Sequence, residues 1–243
     1  MSFSRLLGVE INDCYICLGY RSGRRLHGVM RFDMPLADGV ISNEPMLKEV
    51  VRDYCATHKC GKRIMIALNT KKAVTRFTRV VAPKKRSLFF DNSKPDMADA
   101  LPEYIFSDYV ADYRRLDSTT ALVCGLPKEE SLVIAGLFKD MGLMPLRLDI
   151  YANCVSLALE REGGDAVCAA RGCIIYISNG ILREIITPAG VHELGTVLDV
   201  VGETGIKAYN PGGYDWADEA FRRAGIEVRR GYELGLMGLF SIN

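Results

Sequence analysis

The chain has 243 residues, 49% hydrophobic and 25% charged, with 31 basic side chains against 30 acidic ones. A chain of this length buries roughly 70–75% of its unfolded surface, so no metal or disulfide staple is required, and these fractions exclude disordered, collagen-like and coiled-coil classes. No apolar run reaches the ~18 residues of a membrane span, and residues 1–10 lack the apolar core of a signal peptide, so a soluble intracellular protein is expected.

The opening reads as a β-meander. Strands over 6–11 and 14–20 flank Asn12-Asp13, a pair that tolerates positive φ, and a turn at 21–24 leads into a strand over 26–32. Asn43-Glu44-Pro45 starts a helix with proline in its first turn. Met46, Leu47, Val50, Val51, Tyr54 and Cys55 recur on one face of it, and Gly61 marks its end. Strands are predicted over 63–68 and 73–81, and a polar stretch follows with a short helix around 96–104. The second half alternates strand 119–126, helix 128–141, strand 146–150 and helix 152–160. Leu132, Ile134, Ala135, Leu137 and Phe138 form the inner face of the 128–141 helix, and Gly142 is its stop. Past a charged, glycine-bearing break at 160–164, strands cover 166–170, 173–178 and 181–187, the last two joined by an Asn179-Gly180 hairpin turn. A helix over 191–201, strand 206–209, helix 214–224, strand 226–229 and helix 232–240 close the chain. This order predicts an α/β protein of two lobes with mixed sheets flanked by helices. Lobe boundaries are expected at 1–160, with a small inserted subdomain around 60–120, and at 165–243.

Eight cysteines in such a chain are read as reduced thiols. The spacings Cys14-x-x-Cys17, Cys55-x4-Cys60 and Cys168-x4-Cys173 meet only three histidines, His27, His58 and His192, too few for a four-ligand zinc set. Cys14 and Cys17, three apart in a strand, point to opposite faces. No metal site is expected. Charge is uneven: residues 1–118 carry 20 basic and 14 acidic side chains, residues 119–243 carry 11 and 16. Ten Lys or Arg and no acid lie between Tyr54 and Phe90. That run is a solvated face neutralised by the acids that follow, or a patch for an acidic partner or an anionic membrane surface. Nucleic acid is not expected, since aromatic interleaving and nucleic-acid motifs are lacking.

Three stretches resemble the actin-like ATPase superfamily, and within it the type IV pilus assembly protein PilM, a relative of the cell-division protein FtsA. Leu6-Leu7-Gly8-Val9-Glu10-Ile11-Asn12 stands where the family opens with a "GIDIG" hairpin. Residues 104–159 parallel the family's strand, helix, "aGL-x-P-x-x-vD" turn and next helix. Ala208-Tyr209-Asn210-Pro211-Gly212-Gly213 and Glu233-Leu234-Gly235-Leu236-Met237-Gly238 are similar to its adenosine-motif strand and closing helix. The resemblance implies a two-lobed, ribonuclease H-like fold whose second lobe is here minimal. It also implies a cytoplasmic protein docked under the inner membrane through the tail of a PilN-like partner, with possible self-association.

The departures bear on chemistry. Glu10 and Asn12 stand where the first phosphate hairpin carries an aspartate and a glycine, and Cys14 and Tyr15 replace small hydroxyls in its turn. In the second hairpin Cys168 and Ala170 replace an aspartate and a glycine. A thiol is a poor Mg²⁺ ligand, and a methyl obstructs phosphate. Gly212 and Gly213 remain, as a nucleotide-binding pair or as an ordinary turn. Fewer than twenty residues separate Thr187 from Ile206, where the family inserts a helical jaw. The expectation is therefore a non-catalytic scaffold of a pilus, competence or type II-like secretion machine, with no cofactor and no catalytic residue. The alternative is an ATP- and Mg²⁺-binding actin-like ATPase of the same machinery, using Glu10, Asn12, Cys168, Ala170, Gly212 and Gly213. Partner binding is assigned to Arg76, Phe77 and Arg79, on an alternating strand whose edge could accept an added strand.

Overall fold

The computed structural model describes residues 5–12, 15–33, 36–37, 40–41, 43–70, 72–81, 94–95, 107–170, 173–186 and 206–241. Cys14, the helices expected at 96–104 and 191–201, and the Thr187–Ile206 connection lie outside the described residues. The elements are β1 (Arg5–Ile11), β2 (Tyr15–Ser22), β3 (Arg25–Asp33), β4 (Leu36–Ala37), β5 (Val40–Ile41), α1 (Glu44–His58), β6 (Cys60–Leu68), β7 (Val74–Val81), β8 (Lys94–Pro95), β9 (Tyr109–Arg115) and β10 (Thr120–Pro127). After these come α2 (Lys128–Asp140), β11 (Met144–Ile150), α3 (Tyr151–Glu162), β12 (Ala166–Ala170), β13 (Cys173–Ser178), β14 (Ile181–Ile186), β15 (Lys207–Tyr209), α4 (Asp215–Arg223), β16 (Val228–Arg229) and α5 (Leu234–Leu239).

The chain divides into two compact units, one of residues 1–71 with 137–243 and one of residues 72–136. The break expected at 160–164 therefore lies inside the first unit. That unit holds two five-stranded sheets, ordered β11-β6-β1-β2-β3 and β14-β13-β12-β15-β16. In each, two antiparallel neighbours lead into parallel pairings, β1 with β6 and β6 with β11, then β12 with β15 and β15 with β16. β1 is fully buried over Leu7–Ile11 and β6 over its last five residues. Near-continuous apolar runs of this kind belong to strands covered on both faces.

α1 begins where Asn43 Oδ1 accepts the Met46 amide at 3.1 Å, with proline in its first turn. It ends on Lys59 in the left-handed region at φ 51°, whose amide turns back to the Ala56 carbonyl, so Gly61 belongs to β6 and is not the stop. Leu47, Val51 and Tyr54 are its buried stripe, while Met46 is exposed. On the other face of the sheet α5 lies across Gly8, Gly19 and α3. A Cβ at Gly8 would meet the Phe240 ring, one at Gly19 would meet Leu26 and Leu236, and one at Gly238 would fall inside the Cys154 carbonyl group. Glycine at these positions is what lets the last helix seat directly on backbone. Asn179 and Gly180 adopt φ 53° and 71°, the twin positive values of the hairpin turn expected there.

The second unit is built on an antiparallel sheet ordered β8-β7-β10-β9. β10 is central, with Ala121, Leu122 and Val123 fully buried. Helix α2 starts in this unit and crosses into the first. Its inner stripe is Ile134, Leu137 and Phe138, at helical spacing, whereas Leu132 is 73% exposed. Two residues before Ile134, Leu132 sits about 200° around the helix from it, which turns it outward.

Candidate functional site

The C-terminal ends of the parallel strands β1 and β6 carry polar side chains into the interior of the first unit. This is the end at which open α/β sheets place their ligands. Glu10 and Asn12 follow from β1, Asn69 and Thr70 from β6, and all four are buried. The hairpin from β1 to β2 is closed by the Asn12 amide donating to the Tyr15 carbonyl at 2.9 Å, and the Asn69 amide donates to the Ile11 carbonyl at 2.9 Å. These backbone bonds fix the side chains that meet above them. The Tyr15 hydroxyl donates to Glu10 Oε1 at 2.6 Å and accepts from Asn12 Nδ2 at 2.8 Å. Asn69 Nδ2 donates to Asn12 Oδ1 at 2.7 Å.

Glu10 is fully inaccessible, and burial raises its carboxyl from the usual range to about 8; hydrogen bonds from Tyr15 and Asn12 and the nearby Leu236 amide offset only part of that. At neutral pH it is mostly protonated. Glu10 Oε2 and the Tyr151 hydroxyl, both buried, lack hydrogen-bond partners. Both groups crowd Gly235 at the start of α5, where a Cβ would overlap Oε2 and lie 2.7 Å from the Tyr151 ring. Burial likewise pushes the hydroxyls of Tyr15 and Tyr151 far above their usual range, the neighbouring acid adding to the effect. Tyr15 is packed against the Tyr232 ring edge-on at 5.8 Å, with the Arg31 guanidinium 4.5 Å from its centroid.

The turn after β15 supplies the other side of the cluster. Asn210, fully buried, accepts the Tyr214 amide at 3.0 Å and donates to the Tyr214 carbonyl at 2.9 Å and to Asp218. Arg230 clamps the same turn through Asp218 at 3.0 Å. So held, Tyr214 folds back over Gly212, where a Cβ would overlap the ring, and its hydroxyl lies 3.4 Å from both Asn12 Oδ1 and Asn69 Nδ2. Gly213 takes φ 67° to close this turn. Cys168 and Ala170, on β12, are fully buried, and burial raises the thiol far above its usual range, with the Glu10 carboxyl contributing.

Of the six residues assigned to nucleotide in the sequence, the structure thus brings Glu10 and Asn12 into one cluster, places Gly212 under Tyr214, and sets Cys168 within the electrostatic reach of Glu10. Sequence reasoning missed Asn69, Tyr151 and Tyr214. The available signals were a polar pair at the end of a buried parallel strand and an aromatic residue directly after a glycine pair. It also passed over Asp149, which shares with Glu10 the strand level of Ala67. Its oxygens are taken by Arg147 at 2.9 Å, by the Ile150 amide at 2.8 Å and by Asn153 at 3.1 and 3.2 Å. Two strand spacings, roughly 10 Å between backbones, separate it from Glu10. Among the described residues no set of three His, Cys, Asp or Glu side chains converges as for a metal.

This donor set does not fit Mg²⁺ with a nucleotide. Glu10 is enclosed and engaged by the Tyr15 hydroxyl, the thiol of Cys168 is a soft donor that suits Mg²⁺ poorly, and the Tyr214 ring covers the Gly212 backbone.

In the second unit, Arg76, Phe77 and Arg79 are all exposed on β7, Phe77 at 38%. Strand alternation puts Phe77 and Arg79 on one face and Arg76 on the other. β7 pairs with β10 along one side and with β8 only at Val80 and Val81.

No protein-family model and no curated protein sequence matches the chain. Solved structures do. One, from a PilM-PilN type IV pilus biogenesis complex, is similar over 98% of this chain and 96% of its own at 14% identity, with a TM-score of 0.60. The cytoplasmic domain of EpsL, an inner-membrane component of the type II secretion system of Vibrio cholerae, is similar over 99% and 96% at 14% identity and TM-score 0.58. A Bacteroides thetaiotaomicron protein with an actin-like ATPase fold and unknown function gives 99%, 96%, 9% and 0.59. Together with the paired sheets, these likenesses establish that the chain has the actin-like ATPase fold.

Proposed function

We propose that the protein is a non-catalytic scaffold of a pilus or type II-like secretion machine, and that it captures an extended segment from the cytoplasmic tail of a PilN-like inner-membrane protein. The reading places it in the cytoplasm, held at the membrane through that partner. No helix among the described residues is long and apolar enough to cross a membrane. The observation that carries the proposal is the exposure of Arg76, Phe77 and Arg79 together on β7. An incoming segment finds an apolar contact in Phe77 and cations on both faces in Arg76 and Arg79. The likeness in fold to a PilM-PilN complex and to the EpsL cytoplasmic domain supports the machinery class. A peptide of about eight residues gains main-chain bonds but loses ordering entropy, so micromolar affinity is expected.

Pull-down with the full-length PilN-like protein and with its tail deleted tests the reading, at low and high salt. Capture should need the tail. Arg76→Glu together with Arg79→Glu should weaken capture and flatten its salt dependence, since the charges steer an acidic or membrane-proximal segment. Equal capture of both partner forms would remove the tail from the account. Unchanged capture by the doubly reversed protein would remove β7.

A further inference from the structure

The buried polar cluster has a consequence of its own, independent of which partner β7 serves. In this chain the hairpin β1–β2 and the glycine turn after β15 meet where Tyr214 reaches Asn12 and Asn69, and buried polar groups there need hydrogen-bond partners. Here partners for Glu10 Oε1, Asn12 and the turn come from the chain itself. Tyr15 supplies the donor to Glu10 at 2.6 Å, Asn69 supplies the donor to Asn12 at 2.7 Å, and the Tyr214 ring covers Gly212 with its hydroxyl reaching both asparagines. The covering ring is itself braced. Asn210 holds the Tyr214 backbone from both its amide and its carbonyl, Arg230 holds Asp218 behind it, and Trp216 stacks on it at 6.0 Å and 27°.

We propose that the protein occupies its own nucleotide cleft: Tyr214, reaching Asn12 and Asn69, is a built-in plug that locks the β1–β2 hairpin to the Gly212–Gly213 turn in place of a ligand. The hairpin and turn are then held in one arrangement whatever the nucleotide supply, and the fold serves as a rigid frame. Tyr15 is the second half of the lock, because its hydroxyl engages Glu10 Oε1 and holds the carboxyl inside the chain's own network. Burial raises the Glu10 carboxyl to about 8, which favours the neutral acid in this lock.

Trp216 is the sole tryptophan, 39% exposed and stacked on Tyr214, so its emission reports the plug directly. The experiment titrates Mg·ATP and Mg·ADP into the full chain while following Trp216 emission and thermal unfolding, for wild type, Tyr214→Phe and Tyr214→Ala. Wild type should respond to neither nucleotide. Tyr214→Phe keeps the ring and should keep the emission, with a loss of stability of about 2 °C for the missing hydroxyl. Tyr214→Ala should change the emission and lower the melting temperature by about 4 °C or more. A saturable change in wild-type emission with either nucleotide overturns the proposal, since the plug would then be displaced by ligand. So does a Tyr214→Ala protein with unchanged emission and melting temperature. Capture of the PilN-like tail is scored in parallel on wild type, so failure of the lock and failure of the scaffold reading are separately visible.

Discussion

The two five-stranded sheets of the first unit have the same strand order and the same switch from antiparallel to parallel pairing, yet opposite chemistry at equivalent positions. In the first, β1 ends in Glu10 and Asn12, wrapped in donors from Tyr15 and Asn69. In the second, β12 ends in Cys168 and Ala170, facing Ile175 and Cys173 across the hairpin, with nothing but small apolar groups and a neutral thiol. The parallel strands differ too. β6 and β11 run nine and seven residues, whereas β15 and β16 run three and two. The longer sheet encloses a carboxyl with donors from Tyr15 and the asparagines, while β12 of the shorter one carries a thiol and a methyl at the same place. Topology repeated, but chemistry did not, which is why fold alone does not assign an activity.

Four measurements would break or sharpen that contrast. The largest effect belongs to Gly238→Ala. A methyl inside the Cys154 carbonyl cannot be absorbed by a rotamer change and must push α5 off α3, costing about 5 kcal/mol, the exceptional end for one substitution. Urea unfolding reads it, and a loss under 1 kcal/mol would mean that α5 is not seated as described.

Next is Glu10→Gln. With a carboxyl at about 8 in the fold and near 4.5 unfolded, the native protein keeps a proton that the unfolded chain releases. Stability should therefore fall as pH rises from about 4.5 to 8, by roughly 1.4 kcal/mol per unit and about 4 kcal/mol across the window. The amide variant removes this slope and should exceed wild type most clearly at pH 8. A wild-type profile that is flat between pH 5 and 8 would show that Glu10 is solvated.

On the second sheet Cys168→Ser should cost about 2 kcal/mol, because the new hydroxyl enters a fully buried site where the thiol donates to the Ala169 carbonyl at a long 3.6 Å, and this cost should not vary between pH 5 and 8. A strongly pH-dependent cost would mean that the second sheet is not the neutral half. The smallest stability change is expected at β7. Phe77→Ala should alter unfolding by about 0.5 kcal/mol while lowering partner capture several-fold, since the ring is exposed before binding and buried after. A large destabilisation would assign Phe77 to the core of the second unit.

Much of the architecture could be read directly from residue order. Alternation and turn residues gave the strands of both sheets to within two or three residues, and Asn179-Gly180 marked its hairpin because few other pairs accept two positive φ values. Local signals failed where a distant group decided the outcome. Gly61 looks like a helix stop, but Lys59 accepts the left-handed turn and frees Gly61 for β6. Leu132 counts as apolar, but the stripe through Ile134, Leu137 and Phe138 leaves it outside.

At the candidate site, the sequence by itself determined which residue types replaced the expected ones: a longer acid at Glu10, an amide at Asn12, a thiol at Cys168 and a methyl at Ala170. Those identities bear on metal and phosphate chemistry before any coordinates are known, because ligand hardness and side-chain size are local properties. Only the tertiary structure decided that Glu10 is neutral, that Asn69 and Tyr15 complete its surroundings, and that Tyr214, more than two hundred residues along the chain from Asn12, lies over Gly212 with its hydroxyl 3.4 Å from that asparagine. A protonation state depends on burial, and a plug depends on two segments meeting. Both are set by packing between elements remote in sequence, which no local pattern encodes.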